Sequence, residues 1–267
     1  MQKDIRVLIV EDDPYARDLM SLLLTRDWRT RVIGEASSKQ ELIKFLDQPQ
    51  TNVDILIIDT EIPGEPELAF ELARIAKKLP SSPKIIYTAT RGDSHVLQQL
   101  LREGFCGYIL KGEILYALAT AVTQVYSGRC VITPGVRHLT ALQDFQTDTI
   151  VIDGRKLLAN FTPRESELIR LGMIFNLSIR DMADELVLSR GWVSELVSTI
   201  YGKLGVHDIL AGESPLDVPF ENETVLMHLQ EIGDRPTKNL ADGRMRKAPW
   251  MATLAFHLLT IPEIDEL

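Results

Sequence analysis

Early in the chain, two groups of carboxylates stand at the ends of two strongly apolar runs. Residues 6–10, Arg-Val-Leu-Ile-Val, run into Glu11, Asp12 and Asp13, and residues 55–58, Ile-Leu-Ile-Ile, run into Asp59. Runs of this kind read as strands buried on both faces, as in a parallel sheet, and such a sheet delivers both acidic groups to one edge. Carboxylates held a few ångströms apart repel and raise one another's pKa unless a cation intervenes. Hard oxygen ligands suit Mg²⁺, so the expected result is an acidic pocket with room for a metal, water and a phosphate. Two further apolar runs end in polar residues: 84–87 leads into Thr88, and 106–110 leads into Lys111.

The elements that must position these groups alternate. Helical periodicity is expected over 14–26 (Leu19, Met20 and Leu23 on one face), 38–47, 66–79, 94–103 and 113–126, with strands at 6–10, 31–36, 55–58, 84–87 and 106–110. Pro14 fits a first helical position and Asp13 a capping or helix-dipole residue. Pro63 and Gly64 turn the chain just after Asp59. Five β/α units of this size imply an α/β doubly wound parallel five-stranded sheet over residues 1–126, with its chemistry at the carboxyl ends of the strands.

The set Glu11-Asp12, Asp59 with Pro63-Gly64, Thr88-Ala89 and Lys111 resembles a two-component receiver domain (flavodoxin-like fold), in order and in spacing, across residues 3–126. The resemblance implies that Asp59 accepts a phosphoryl group from a sensor histidine kinase. It also implies Mg²⁺ as cofactor, held by the side chains of Asp12 and Asp59 and the backbone carbonyl of Glu61, with Glu11 acting directly or through water. Lys111 would pair with the phosphoryl group, Thr88 would donate a hydrogen bond to it, and Tyr108 would follow Thr88 from exposed to buried. Independently, in-line attack on phosphohistidine needs charge neutralised on the equatorial oxygens, which a metal and a lysine can supply. The loop Glu65-Pro66-Glu67 is more acidic than is usual in that family.

Composition agrees. The 267 residues allow more than one domain, 45% hydrophobic content is ordinary, and a net charge of −9 argues against nonspecific attraction to nucleic acid or membranes. Cys106 and Cys130 are too few for a disulfide framework. The first residues show no apolar signal region and no run approaches a membrane span, so a cytoplasmic protein is expected.

Residues 127–160 read as a semi-ordered linker, with turn signals at Thr133-Pro134-Gly135 and one short apolar run, 150–152, that suits a strand or a hairpin arm. At Thr162-Pro163-Arg164-Glu165 a capping box opens a helix. Ser178 then caps a helix to Leu186, and Ser189 caps a longer one to Leu204, whose buried stripe is Val193, Val197, Ile200 and Leu204. Residues 161–210 are similar to the helix-turn-helix domain of LuxR/FixJ-type response regulators, through Phe161 to Glu165, Met182-Ala183, Leu188-Ser189, Val193, Val197 and residues 203–206. The resemblance implies an all-α DNA-binding domain whose last of these helices enters the major groove, with Arg190, Trp192, Ser194, Glu195, Ser198 and Lys203 as candidate contacts. Three departures stand out: Trp192 replaces a small residue, Asp184-Glu185 stand where arginines are common, and the stretch 173–177 is one residue longer than usual.

Over residues 161–210 five basic residues face seven acidic ones, a net −2, which is a deficit for a reader of DNA because phosphate neutralisation supplies most nonspecific affinity. Residues 211–267 form a C-terminal extension with expected helices at 221–232 and 248–260. The second is too apolar to stay exposed, so it either packs on the helix-turn-helix, covering its DNA face, or pairs with a partner. These readings add up to a phosphorylation-controlled transcription regulator that pairs as a homodimer on phosphorylation. The alternative is a phosphorylation-controlled protein-interaction module whose helix-turn-helix binds protein instead of DNA. An enzyme is not expected, because no separate general acid or substrate-binding loop accompanies the acidic pocket.

Overall fold

The protein is described by a computed structural model. It describes residues 5–48, 52–62, 67–103, 105–141, 145, 148–154, 161–206 and 247–267. Two units emerge: residues 1–156 together with 262–267, and residues 157–261.

In the first unit, β1 (Ile5–Val10), β3 (Ile55–Asp59), β4 (Lys84–Ala89) and β5 (Gly107–Leu110) form the parallel centre of the sheet, with β2 (Thr30–Ala36) beyond β1. The β3 run is buried along its whole length, as its uninterrupted Ile and Leu content requires. One face of the sheet carries Leu8, Val10, Leu56, Ile58 and Tyr108. The other carries Val7, Ile9, Ile55, Ile57 and Ile109. Around it lie α1 (Pro14–Arg26), α2 (Lys39–Leu46), α3 (Leu68–Lys77), α4 (Ser94–Glu103), the single turn α5 (Lys111–Ile114) and α6 (Leu118–Ser127). Asp13 caps α1, its carboxylate accepting from the amides of Tyr15 at 2.8 Å and Ala16 at 3.3 Å.

The doubly wound sheet is there, but it is wider than five strands. Its order is β2-β1-β3-β4-β5-β6-β7-β8. The added strands are β6 (Cys130–Ile132) and β7 (Thr149–Asp153), both parallel, and β8 (Glu263–Glu266), antiparallel to β7. Residues 127–160 are therefore not simply a linker. The strands β6 and β7 continue the sheet past β5, with the turn α7 (Pro134–Arg137) between them in sequence. The apolar residues explain it: Val131, Ile150 and Ile152 join one core, and Ile132, Val136, Phe145 and Val151 the other. The end of the extension is likewise a strand of the first unit, with Leu267 against one core and Ile264 against the other.

The second unit opens with α8 (Pro163–Leu168), whose capping box is complete: Thr162 accepts from the Glu165 amide, and Glu165 accepts from the Thr162 amide at 2.8 Å. Residues Ile169–Ile174 then wind as a π-helix. A π-turn of this kind widens the helix by one residue per turn and bends the chain between α8 and α9. Next come α9 (Ile179–Glu185) and α10 (Arg190–Lys203), capped by Ser178 and Ser189. Between them Val187, 89% exposed, takes φ of +53°, a conformation costly for a β-branched residue. The helix α11 (Lys247–Leu259) packs against the π-helix, and its residues 254–259 are buried. The expected helix at 221–232, and with it the connection from residue 207 to 246, lies outside the described residues.

Candidate functional site

The carboxyl ends of β1, β3 and β5 bring the sequence candidates together. Glu11 and Asp59 are almost fully buried, at 1% and 2% exposure, and Asp12 is half-buried beside them. One carboxylate oxygen from each of Glu11, Asp12 and Asp59 lies within 4.8 Å of the others. Lys111 reaches in from the first residue of α5, placing its ammonium 2.8 Å from Glu11 Oε2 and 3.2 Å from Asp59 Oδ2. A single ammonium does not balance three carboxylates, so the pocket keeps a negative excess.

Burial is the largest influence on the titration of these groups. Burial pushes the Glu11 carboxyl up to about 7, with the Asp59 charge adding to the rise and Lys111 opposing it. Burial raises Asp59 as well, against the pull of Lys111. For Lys111, burial would lower the pKa, but Glu11 and Asp59 outweigh it and the group sits above its ordinary value. Asp59 Oδ1 has no hydrogen-bond partner among the described residues, and neither does Thr88 Oγ1, which is buried. Orphaned buried oxygens next to a negative cluster are the arrangement a divalent cation or an added oxyanion would complete. The residues present fit Mg²⁺.

Residues 7–123 match the family model for the response regulator receiver domain. The chain carries a receiver domain. Relatives extend the likeness past it. Fimbriae Z protein of Escherichia coli (strain K12) is 26% identical over 208 residues, 78% of this chain and 94% of that protein. Transcriptional regulatory protein LnrK of Bacillus subtilis (strain 168) is 29% identical over 212 residues, 76% and 92% of the two chains. Response regulator UvrY of Escherichia coli (strain K12) is 24% identical over 204 residues, 76% and 89%. Among solved structures, the RcsB response regulator of Salmonella typhimurium aligns with a TM-score of 0.46 at 23% identity, over 77% of this chain and 93% of that one.

Within the receiver, Thr88 pairs in register with Asp59 across β3 and β4. Tyr108 is fully buried, its phenol oxygen accepting from the Asp93 amide at 3.2 Å, so it occupies the inner of the two positions expected for it. Glu61 is exposed, and its carboxylate accepts from the Thr90 amide at 2.6 Å, which holds the β3 and β4 loops together. Burial pushes Glu61 up, but Thr90, the Arg91 amide and Lys111 outweigh it and keep the carboxyl below its ordinary range. Pro63, Gly64, Glu65 and Pro66 lie outside the described residues.

Two neighbours of the site carried no signal in the sequence. Arg17 donates to the Glu11 carbonyl at 2.7 Å, fixing the strand end. Glu113, two residues past Lys111, accepts from the Gly135 amide at 2.7 Å through its carboxylate and from the Gly154 amide at 3.0 Å through its carbonyl. Nothing distinguishes such a glutamate from a solvated one until the segment it holds has returned to the sheet.

The six α10 candidates do not form one surface of free groups. Arg190, Ser194, Glu195 and Ser198 are exposed, and Trp192 is 44% exposed. The Arg164 guanidinium lies 5.9 Å over the Trp192 ring and also donates to the Leu186 carbonyl and Glu167. Lys203 turns back to Glu165, 2.8 Å from its carboxylate, and lies 5.7 Å over the Phe161 ring. It ties α10 to α8 and is not a projecting cation. Within residues 161–206, Arg164, Arg180 and Lys203 are ion-paired, and Arg170 and Arg190 are not.

Proposed function

We propose that the protein is a two-component response regulator that takes a phosphoryl group on Asp59 from a sensor histidine kinase and controls transcription through its helix-turn-helix unit. The observation that carries this is the buried Glu11, Asp12 and Asp59 cluster bridged by Lys111. An Asp59 carboxylate oxygen attacks the phosphorus of phosphohistidine. The P–N bond breaks as the P–O bond forms, and the imidazole leaves with a proton from water. Glu11, Asp12 and Asp59, with the Glu61 carbonyl, would hold Mg²⁺, which supplies charge neutralisation to the transferring group. Lys111 meets the charge developing on the phosphoryl oxygens, and the Thr88 hydroxyl, buried and unpartnered, is left to donate to one of them. Phosphorylation then shifts a two-state equilibrium of the receiver and alters pairing between two copies.

The relatives whose printed names describe regulators of transcription or response support the second half of this reading. A protein partner for α10 remains a rival on one observation: Arg164 and Lys203 are spent within the unit, leaving Trp192 and Glu195 prominent on the exposed face. Incubating the chain with acetyl phosphate and Mg²⁺ and weighing it intact tests the first half. One phosphoryl group is expected on the wild type and none on Asp59→Asn. Selection of pooled genomic fragments by the phosphorylated chain across a salt series tests the second. A protein that takes up phosphate yet selects no fragment at low salt would transfer the role of α10 to a protein partner.

A further inference from the structure

In the receiver, β5 is not the last strand. Its edge is occupied by β6 of the same chain, and α7, which follows β6, packs against both β5 and β7. Four contacts fasten α7 and its neighbours. Thr133 Oγ1 accepts from the Leu110 amide at 3.0 Å, next to Lys111 in sequence. Glu113 accepts from the amides of Gly135 and Gly154. Leu139 sits against Gly92 so closely that a Cβ there would come within 2.8 Å of it. Both glycines are needed for the approach. A Cβ on Gly135 would meet Leu110 at 2.7 Å and the Glu113 carboxylate at 3.0 Å, and one on Gly154 would run into the Ile114 carbonyl.

Glu113 and Lys111 share the four-residue turn α5. Lys111 is held by ion pairs to Glu11 and Asp59. A phosphoryl group on Asp59 adds charge and three acceptor oxygens at that point, so the ammonium must be redrawn toward it. Glu113 stands two residues on in the same single turn, so any backbone shift that follows the Lys111 ammonium carries Glu113 with it.

We propose that Glu113 is a latch that passes phosphorylation of Asp59 to α7 and the end of β7, by releasing its two hydrogen bonds to Gly135 and Gly154. The inference rests on the reading of Asp59 as the phosphoryl acceptor. Its consequence is chain-specific: β7 carries β8, and the second unit of the chain lies between those two strands in sequence.

The test is amide hydrogen exchange of the full chain, with and without acetyl phosphate and Mg²⁺, and with phosphoryl stoichiometry read by intact mass on the same samples. In the wild type, Gly135 and Gly154 should exchange about fivefold faster once Asp59 is phosphorylated, as expected for the net loss of one hydrogen bond. Glu113→Ala should already exchange fast at Gly135 and show no further change there on phosphorylation, while taking up phosphate normally. Glu113→Gln keeps a side-chain acceptor and should retain the wild-type response, which separates loss of the latch from a damaged fold. Full phosphorylation with unchanged exchange at both glycines, or an Ala variant that responds like the wild type, would overturn the latch and leave the acceptor role of Asp59 intact. Absence of phosphate on Asp59 would overturn both.

Discussion

Replacing Lys203 with methionine separates two roles for the same side chain. As a strut, it neutralises a carboxylate that is nearly buried: Glu165 is 5% exposed against 41% for Lys203, with the ammonium 2.8 Å away. Breaking a fully buried pair costs about 3–5 kcal/mol and an exposed one about 0–1 kcal/mol. Here the lysine is partly solvated and Glu165 keeps its bond to the Thr162 amide at 2.8 Å, so the loss should be about 1–2 kcal/mol. Lys203, helped by the Thr162 amide, holds the Glu165 carboxyl below its ordinary value of 4.5. A depressed carboxyl contributes stability that is whole above the unfolded pKa and lost as pH falls through the folded one. The difference between wild type and Lys203→Met should therefore be full at pH 7 and shrink once pH drops below about 4.5. Urea denaturation followed by Trp192 fluorescence, with Trp28 and Trp250 replaced by Phe, reads it. The salt dependence of DNA binding should keep its slope in the variant. A slope lowered by about one, with stability unchanged, would make Lys203 a phosphate contact and refute the strut.

Three other outcomes follow from the receiver. Mg²⁺ at about a hundred times its Kd should stabilise the wild type by about 2.7 kcal/mol in thermal unfolding, and an Asp12→Asn, Asp59→Asn double variant should show no such gain. Gly154→Ala should destabilise the first unit by about 1–3 kcal/mol, because the added methyl meets the Ile114 backbone, which calorimetry would register as a lowered first transition. Ending the chain at Ile261 removes β8 and leaves the β7 edge bare, so sedimentation should show concentration-dependent self-association absent from the full chain.

The centre of the sheet and its site were legible because each strand there is an uninterrupted apolar run closed by a polar residue, and burial on both faces leaves no other reading for 55–58. Glu11, Asp12, Asp59 and Lys111 meet because parallel strands deliver their ends to one edge, a rule that needs only the strand direction. The sixth strand escaped notice for a physical reason. Cys130–Ile132 is three residues long, set between Gly128 and a Thr-Pro-Gly turn, and its partners on either side are supplied from outside any local window. The apolar run at 150–152 did show as a strand, but its second neighbour is Ile264 and the residues around it, which the whole second unit separates from it in sequence. In the second unit the caps Thr162, Ser178 and Ser189 fixed the helix starts. The π-turn at Ile169–Ile174 had no such signal, because its residues keep an ordinary helical apolar pattern and only the backbone shows the wider winding.

Both ends of the second unit are tied to strands of one sheet, and this limits how a signal can act on it. A unit on a single linker gains freedom whenever the linker loosens. A unit closed at both ends stays a loop until one tie opens, and the entropy released then depends only weakly on the loop's length. The two ties are unequal. β7 is buried between β6 and β8 and belongs to both apolar cores, whereas β8 is four residues long, lies at the edge and is exposed at Glu263, Asp265 and Glu266. Local opening begins where few apolar contacts are lost, so β8 is the tie that opens first. Its acidic side chains also blunt the edge against pairing with a second copy. Any change that reaches β7 through Gly154 therefore meets a strand whose inner side is fixed by the core and whose outer side is held mainly by backbone bonds to a short acidic partner. The outer side is where it can yield.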